Sequence, residues 1–114
     1  MLGFAVVSLT AGFCEEVLFR GFLFGWLQHL GMGVAPAAIG TVLAFGFAHS
    51  YQGWKGTFKT AVAGTILVGL TLLAESLWPA ILLHIGSDLL AGWTSMEARP
   101  KSTSGTLSAV SPTP

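Results

Sequence analysis

Charged and titratable side chains sit inside the most apolar stretches of this chain. Glu15, Glu16 and Arg20 interrupt a run that begins at Leu2, His49 closes Phe45-Gly46-Phe47-Ala48-His49, and His84 and Asp88 bracket His84-Ile85-Gly86-Ser87-Asp88. A Glu, Asp or Arg near the middle of a membrane helix costs about 2.5–3.5 kcal/mol on insertion scales. Only 9% of the 114 residues are charged while 53% are hydrophobic, whereas a soluble domain devotes about a quarter of its residues to charge. Mean hydropathy is +0.74. An integral membrane protein with a buried site that uses these groups is the reading this pattern supports.

The same numbers exclude other classes. A net charge of zero leaves no basic surface for phosphate, so no nucleic-acid partner is expected. The single cysteine, Cys14, cannot close an internal disulfide. There is no cysteine pair and no HExxH sequence, which removes zinc-ribbon and zincin sites. Residues 1–14 are apolar but lack the basic start and small-residue cleavage pattern of a signal peptide, and are read as mature protein.

Four hydrophobic stretches can be separated. The first covers residues 2–30 and ends at the glycine-bearing turn Gln28-His29-Leu30-Gly31-Met32-Gly33. The second starts after Pro36 and reaches His49. A polar loop over residues 50–56 carries Tyr51, Trp54 and Lys55, types favoured at a membrane interface. The third stretch covers residues 57–73, and the fourth follows Glu75-Ser76-Leu77-Trp78, with Pro79 in its first turn, and continues to Trp93. Each is near the roughly 17–25 residues of a spanning helix, the second and fourth being a little short. Open strands cannot satisfy their backbones in lipid. The fold class expected is therefore all-α: a multi-span transmembrane bundle of about four helices, residues 1–93, followed by a disordered Ser/Thr/Pro-rich tail, residues 94–114.

Small residues recur every four positions at Gly21 and Gly25, at Gly40, Ala44 and Ala48, and at Thr57, Ala61, Thr65 and Gly69. Such stripes let helices approach closely and imply a compact bundle. With four spans, both termini and the loop at 50–56 share one side, which collects Lys55, Lys59, Arg99 and Lys101. The positive-inside rule then places the termini in the cytoplasm, with the cell membrane as the expected location.

Each motif holds a pair at i, i+4, so both members share a helix face. Glu16 before Arg20 is the favourable order for a helical ion bridge, and a purely structural bridge is an equally good reading of it. Glu15 lies about 100° around the helix from Glu16 and has no local cation, so it is free to face another partner and act as a general base or acid. Phe45 with His49, and His84 with Asp88, line faces of the second and fourth helices. Convergence of these faces would gather two imidazoles and several carboxyl groups around one cavity. His29 lies in a turn and Glu75 beside a loop, and neither is assigned a role. Ser87 has no nucleophile elbow around it.

The order EExxxR, FxxxH, HxxxN/D resembles that of the CAAX protease and bacteriocin-processing (CPBP, Abi) family of intramembrane proteases, which includes the type II CAAX prenyl endopeptidases. Ser76-Leu77-Trp78-Pro79-Ala80-Ile81-Leu82-Leu83-His84 also resembles that family's approach to its last motif. The similarity covers about residues 2–93. It implies that Glu15 activates a water together with His49, and that Glu16 supports the site while held by Arg20, with Phe45 as further support. It also implies that His84 and Asp88 stabilise the oxyanion formed when water adds to a peptide carbonyl. Asp88 stands where the family often has Asn. An ionised Asp cannot donate a hydrogen bond, so it must be protonated, orient His84 or ligate a metal. Glu15, His49 and His84 are the candidate ligands for a divalent metal such as zinc, and a metal-free glutamate mechanism is the alternative. The expected partners are the lipid bilayer and a peptide or protein substrate at the membrane. Rival readings of the same residues are an inactive immunity or peptide-binding protein, and a proton or ion pathway.

Overall fold

The computed structural model describes residues 2–98, and within them the chain is helical, with no strand. Helix α1 runs over Leu2–His29, α2 over Val34–Ala48, α3 over Gly53–Ala74 and α4 over Trp78–Glu97. The all-α, four-helix expectation thus holds. Two helical stretches, Leu2–His29 and Ser50–Ala74, are long and apolar enough to cross a membrane, each with hydropathy 1.6. Helix α2 has 15 residues, about 22 Å at 1.5 Å per residue, which is short of a ~30 Å hydrocarbon core unless its ends sit among headgroups.

The helix ends follow local chemistry. After α1 the chain turns at Gly31, whose φ of +91° is a left-handed conformation that glycine adopts freely. Pro36 sits in the first turn of α2, where an N–H would have no helical partner, so the helix begins at Val34 rather than after the proline. The expected polar loop shrinks to a 3-10 turn, Ser50–Gln52, and Gly53 (φ +77°) opens α3, so residues 53–56 form its first turn. Helix α3 stops at Glu75 in the left-handed region, with the Ser76 N–H bonded to the Thr71 carbonyl at 3.3 Å. The Ser76 hydroxyl accepts from the Trp78 N–H at 3.3 Å, and Pro79 lies in the first turn of α4.

Helix α4 continues past Trp93 to Glu97, so the first residues of the expected tail are helical. The Thr94 and Ser95 hydroxyls donate to the Ala91 carbonyl. The remainder of that tail, residues 99–114, lies outside the described residues, as does Met1.

Burial is inverted relative to a water-soluble globule. Glu16 is 0% exposed, and Arg20, Thr41 and Ser8 are also buried, while Leu73 is 88% and Phe47 79% exposed. Helix α1 packs on α4, α2 on α3, and α3 on α4. Small residues make two of these approaches possible. A Cβ on Gly12 would lie 2.5 Å from Ile85 Cγ1 and 3.2 Å from its backbone nitrogen, and one on Gly46 would lie 3.2 Å from the Ala61 Cβ. The expected stripes serve this packing only in part. Ala61 meets Gly46, and Gly40 faces Leu27, but a Cβ on Gly25 or Gly69 would meet nothing within 4 Å.

Candidate active site

Glu16 and Arg20 form the buried centre of the site. The Arg20 Nη1 donates to Glu16 Oε1 at 3.1 Å, one helical turn away, and Nη2 donates to the Gly64 carbonyl of α3 at 3.2 Å. The guanidinium also lies over the Phe45 ring, 4.2 Å from its centroid. Between Glu16 and His29 the backbone does not stay α-helical: Val17–Leu23 forms a π-helix, a widened turn often found at functional sites. Nothing in the local sequence announces it.

Glu16 reaches further. Its Oε1 also accepts the His84 Nδ1–H at 2.7 Å, a bond that joins α1 to α4. A carboxylate oxygen only accepts, so Nδ1 carries the proton and Nε2 is turned away from Glu16 toward the cavity. His49 is fixed in the same manner. It sits just past the end of α2, and its Nδ1 donates to the Phe45 carbonyl at 2.9 Å, capping one of the last free carbonyls of that helix. Its Nε2 therefore bears the lone pair in the neutral ring.

Glu15 faces both rings. Its Oε2 is 3.6 Å from His49 Nε2 and 3.8 Å from His84 Nε2. The side chain is 28% exposed, yet that oxygen is itself buried and has no hydrogen-bond partner. Asp88, one turn after His84 and 39% exposed, places Oδ2 at 3.9 Å from His84 Nε2. Phe45 is the shared wall. Its ring centroid is 4.7 Å from that of His49 and, edge to face, 5.9 Å from that of His84.

The four side chains Glu15, His49, His84 and Asp88 line one cavity of about 650 Å³. Its wall also includes Tyr51, Gln52, Lys59 and Thr60, from the α2–α3 turn and the start of α3, residues that the three motifs do not place in the site. A second cavity of about 570 Å³, with a more apolar wall including Phe4 and Met96, shares Ala11, Asp88 and Ala91 with the first. Ser87 faces the main cavity, but its hydroxyl donates to the His84 carbonyl at 2.7 Å. His29, Glu75 and Cys14 are exposed and lie outside the cluster.

The motif residues come together in one cluster: Glu15, Glu16 and Arg20 from α1, Phe45 and His49 from the end of α2, His84 and Asp88 from α4. The residue missed is Gly64, whose carbonyl anchors Arg20. Its only sequence signal is a four-residue spacing with Thr60 and Gly56. As they stand, Glu15, His49 and His84 do not form a metal cage. No set of three His, Cys, Asp or Glu side chains among the described residues is placed to hold a metal ion.

The family described as type II CAAX prenyl endopeptidase Rce1-like matches residues 1–90, most of the chain. The chain belongs to the Rce1-like family. That is a family of membrane-embedded proteases, and it agrees with the resemblance drawn from the three motifs. No curated protein and no solved structure matches the chain.

Proposed function

We propose that this member of the Rce1-like family is an intramembrane endopeptidase that hydrolyses a peptide bond with a water activated by Glu15 and His49. The observation that carries the reading is the buried, unpartnered Glu15 Oε2 held between the two imidazole Nε2 atoms, at 3.6 and 3.8 Å. These spans are too long for direct hydrogen bonds, and Glu15 also lines the cavity with its side chain 28% exposed, so a turn of that side chain presents the carboxylate to a water there.

In this mechanism Glu15 takes a proton from water as the oxygen attacks the carbonyl carbon, and the His49 Nε2 lone pair orients the same water. Protonated Glu15 then delivers the proton to the leaving amine. His84 has spent its Nδ1–H on Glu16, so it offers an Nε2–H to the developing oxyanion only as the imidazolium, whose charge Glu16 pairs with. Asp88, close to His84 Nε2, orients that ring. Arg20 holds Glu16, and Phe45 walls both rings. These steps need no bound metal, and none is routed through one.

Four membrane crossings follow from the same reading, with termini and the Ser50–Gln52 turn on the cytoplasmic side of the cell membrane. Residues 1–93 act as the catalytic unit, and the substrate is a membrane-bound peptide or protein. The inverted burial supports this: lipid tolerates exposed Leu73 and Phe47 where water would not.

The test uses the full chain in detergent and an internally quenched peptide with a farnesylated cysteine four residues from its C-terminus, beside its unprenylated twin. The parent should cleave at least one of them, and Glu15→Gln and His84→Ala should cleave neither. Equal cleavage by parent and variants ends the proposal.

A further inference from the structure

Helix α3 supplies no carboxylate or imidazole to the buried cluster, yet one of its glycines holds the cluster's two supporting side chains. Gly64 is buried. Its carbonyl accepts the Arg20 Nη2 hydrogen at 3.2 Å. A Cβ at that position would stand 3.0 Å from Phe45 Cδ1 and 3.1 Å from Arg20 Nη2. Such distances are tighter than ordinary packing, so any side chain there must push the ring, the guanidinium or both. Arg20 is tied to Glu16, and the same Glu16 oxygen takes the His84 Nδ1–H at 2.7 Å. Gly64 is thus joined by three successive hydrogen bonds to the imidazole that faces the cavity.

We infer that Gly64 is a positioning residue for His84, acting through Arg20 and Glu16. Its bare Cα leaves room for Arg20 and Phe45, and its carbonyl fixes the second arm of the guanidinium. That fixes the direction in which Glu16 presents Oε1, and so fixes the His84 ring and the line along which Nε2 points. The shared Oε1 is what makes the link effective: a shift of Arg20 redirects the very oxygen that orients the imidazole. The inference rests on the hydrolytic reading for its kinetic consequence and on the geometry alone for its spectroscopic one.

The decisive comparison is Gly64→Ala against Gly69→Ala. Gly69 lies on the same helix, and a Cβ there meets nothing within 4 Å, so it controls for the gain in helix propensity that any Gly→Ala change brings. The probe is the side-chain N–H proton of His84, observed in ¹⁵N-histidine-labelled full chain in detergent and assigned by its absence in His84→Gln. Gly64→Ala should speed solvent exchange of that proton tenfold or more, and Gly69→Ala should leave it at the parental rate.

With whichever of the two peptides the parent cleaves as substrate, Gly64→Ala should lower kcat about ten- to a hundredfold, the effect of a slight misplacement of a reacting group, with KM changed less than about twofold. Arg20→Lys keeps a cation for Glu16 but gives up the second bond to Gly64, and it should speed the His84 exchange by a similar factor. Parental exchange in Arg20→Lys, or equal exchange in Gly64→Ala and Gly69→Ala, overturns the inference. A parent that cleaves neither the prenylated peptide nor its unprenylated twin sinks the hydrolytic reading and leaves the exchange comparison to decide the role of Gly64.

Discussion

Glu16 Oε1 accepts from Arg20 and from His84 at once, while Glu16 Oε2 and Arg20 Nε have no hydrogen-bond partner. A buried ion pair of this kind contributes little net stability but is costly to break, because the survivor is left charged and unpaired. Glu16→Leu should therefore destabilise the protein by about 3–5 kcal/mol. The double variant with Arg20→Met should lose less, since it removes both charges. Reversible unfolding in mixed detergent micelles reads the difference, and a double variant worse than the single one would refute the argument. Glu15 is the opposite case. Its Oε2 supports no other side chain, so Glu15→Gln should leave the unfolding transition near that of the parent while cutting peptide hydrolysis by about 10²–10⁴-fold, the usual worth of a general base. At this scale the sequence was informative: spacing alone put Glu16 with Arg20, and left Glu15 facing elsewhere. Gly64 was not legible, since a backbone carbonyl and an absent Cβ leave no chemical mark in a sequence.

The approach of α1 to α4 is set by Gly12, one turn before Glu16, against Ile85, next to His84. The obstructing atoms include the Ile85 backbone, which cannot rotate away as a side chain can. Gly12→Val should push the two helices apart, at a cost of about 1–3 kcal/mol for overpacking, and should stretch the Glu16–His84 bond. The expected outcome is a lower unfolding midpoint together with faster exchange of the His84 Nδ1–H. Unchanged exchange would mean that the helices are held at their distance by something other than Gly12. Hydropathy and proline positions were enough to count the helices and approximate their ends. They could not reveal the first turn of α3 at residues 53–56, because its polar side chains look like a loop whether or not the backbone coils. The π-helix at Val17–Leu23 was equally hidden, being a change of hydrogen-bond register that needs no particular residue. Small-residue spacing alone did not say which residues would meet: Gly46, outside the Gly40–Ala48 stripe, receives Ala61, since facing depends on the crossing angle as much as on the interval.

For the whole molecule, the distribution of polar groups decides how the chain sits in its surroundings. The acids and imidazoles of the cavity lie toward the end of the bundle where α2 finishes at His49 and α3 begins at Gly53, and Tyr51, Gln52 and Lys59 line the same cavity. That end also bears Lys55, whose ammonium lies over the Trp54 ring, 5.7 Å from its centroid, a pair suited to a membrane interface. The opposite end, around Gly31 and Ser76, carries no Lys or Arg. If charge sets orientation, a cysteine placed at Gln52 should react with an impermeant maleimide only after the cytoplasmic face is opened, and one placed at Met32 should react from outside intact cells. Cys14→Ser supplies a background free of other thiols, since Cys14 is the single cysteine. Replacing Lys55 and Lys59 with Glu should then raise the fraction of molecules with reversed labelling, because two of the cations on which the positive-inside rule relies for this end are gone. Labelling of both sites from the same face would show that the four helices do not all cross. The peptide-bond chemistry would then have to be reached from a bundle lying partly in the interface, where Glu15 and Asp88 would meet bulk water rather than a cavity below the headgroups.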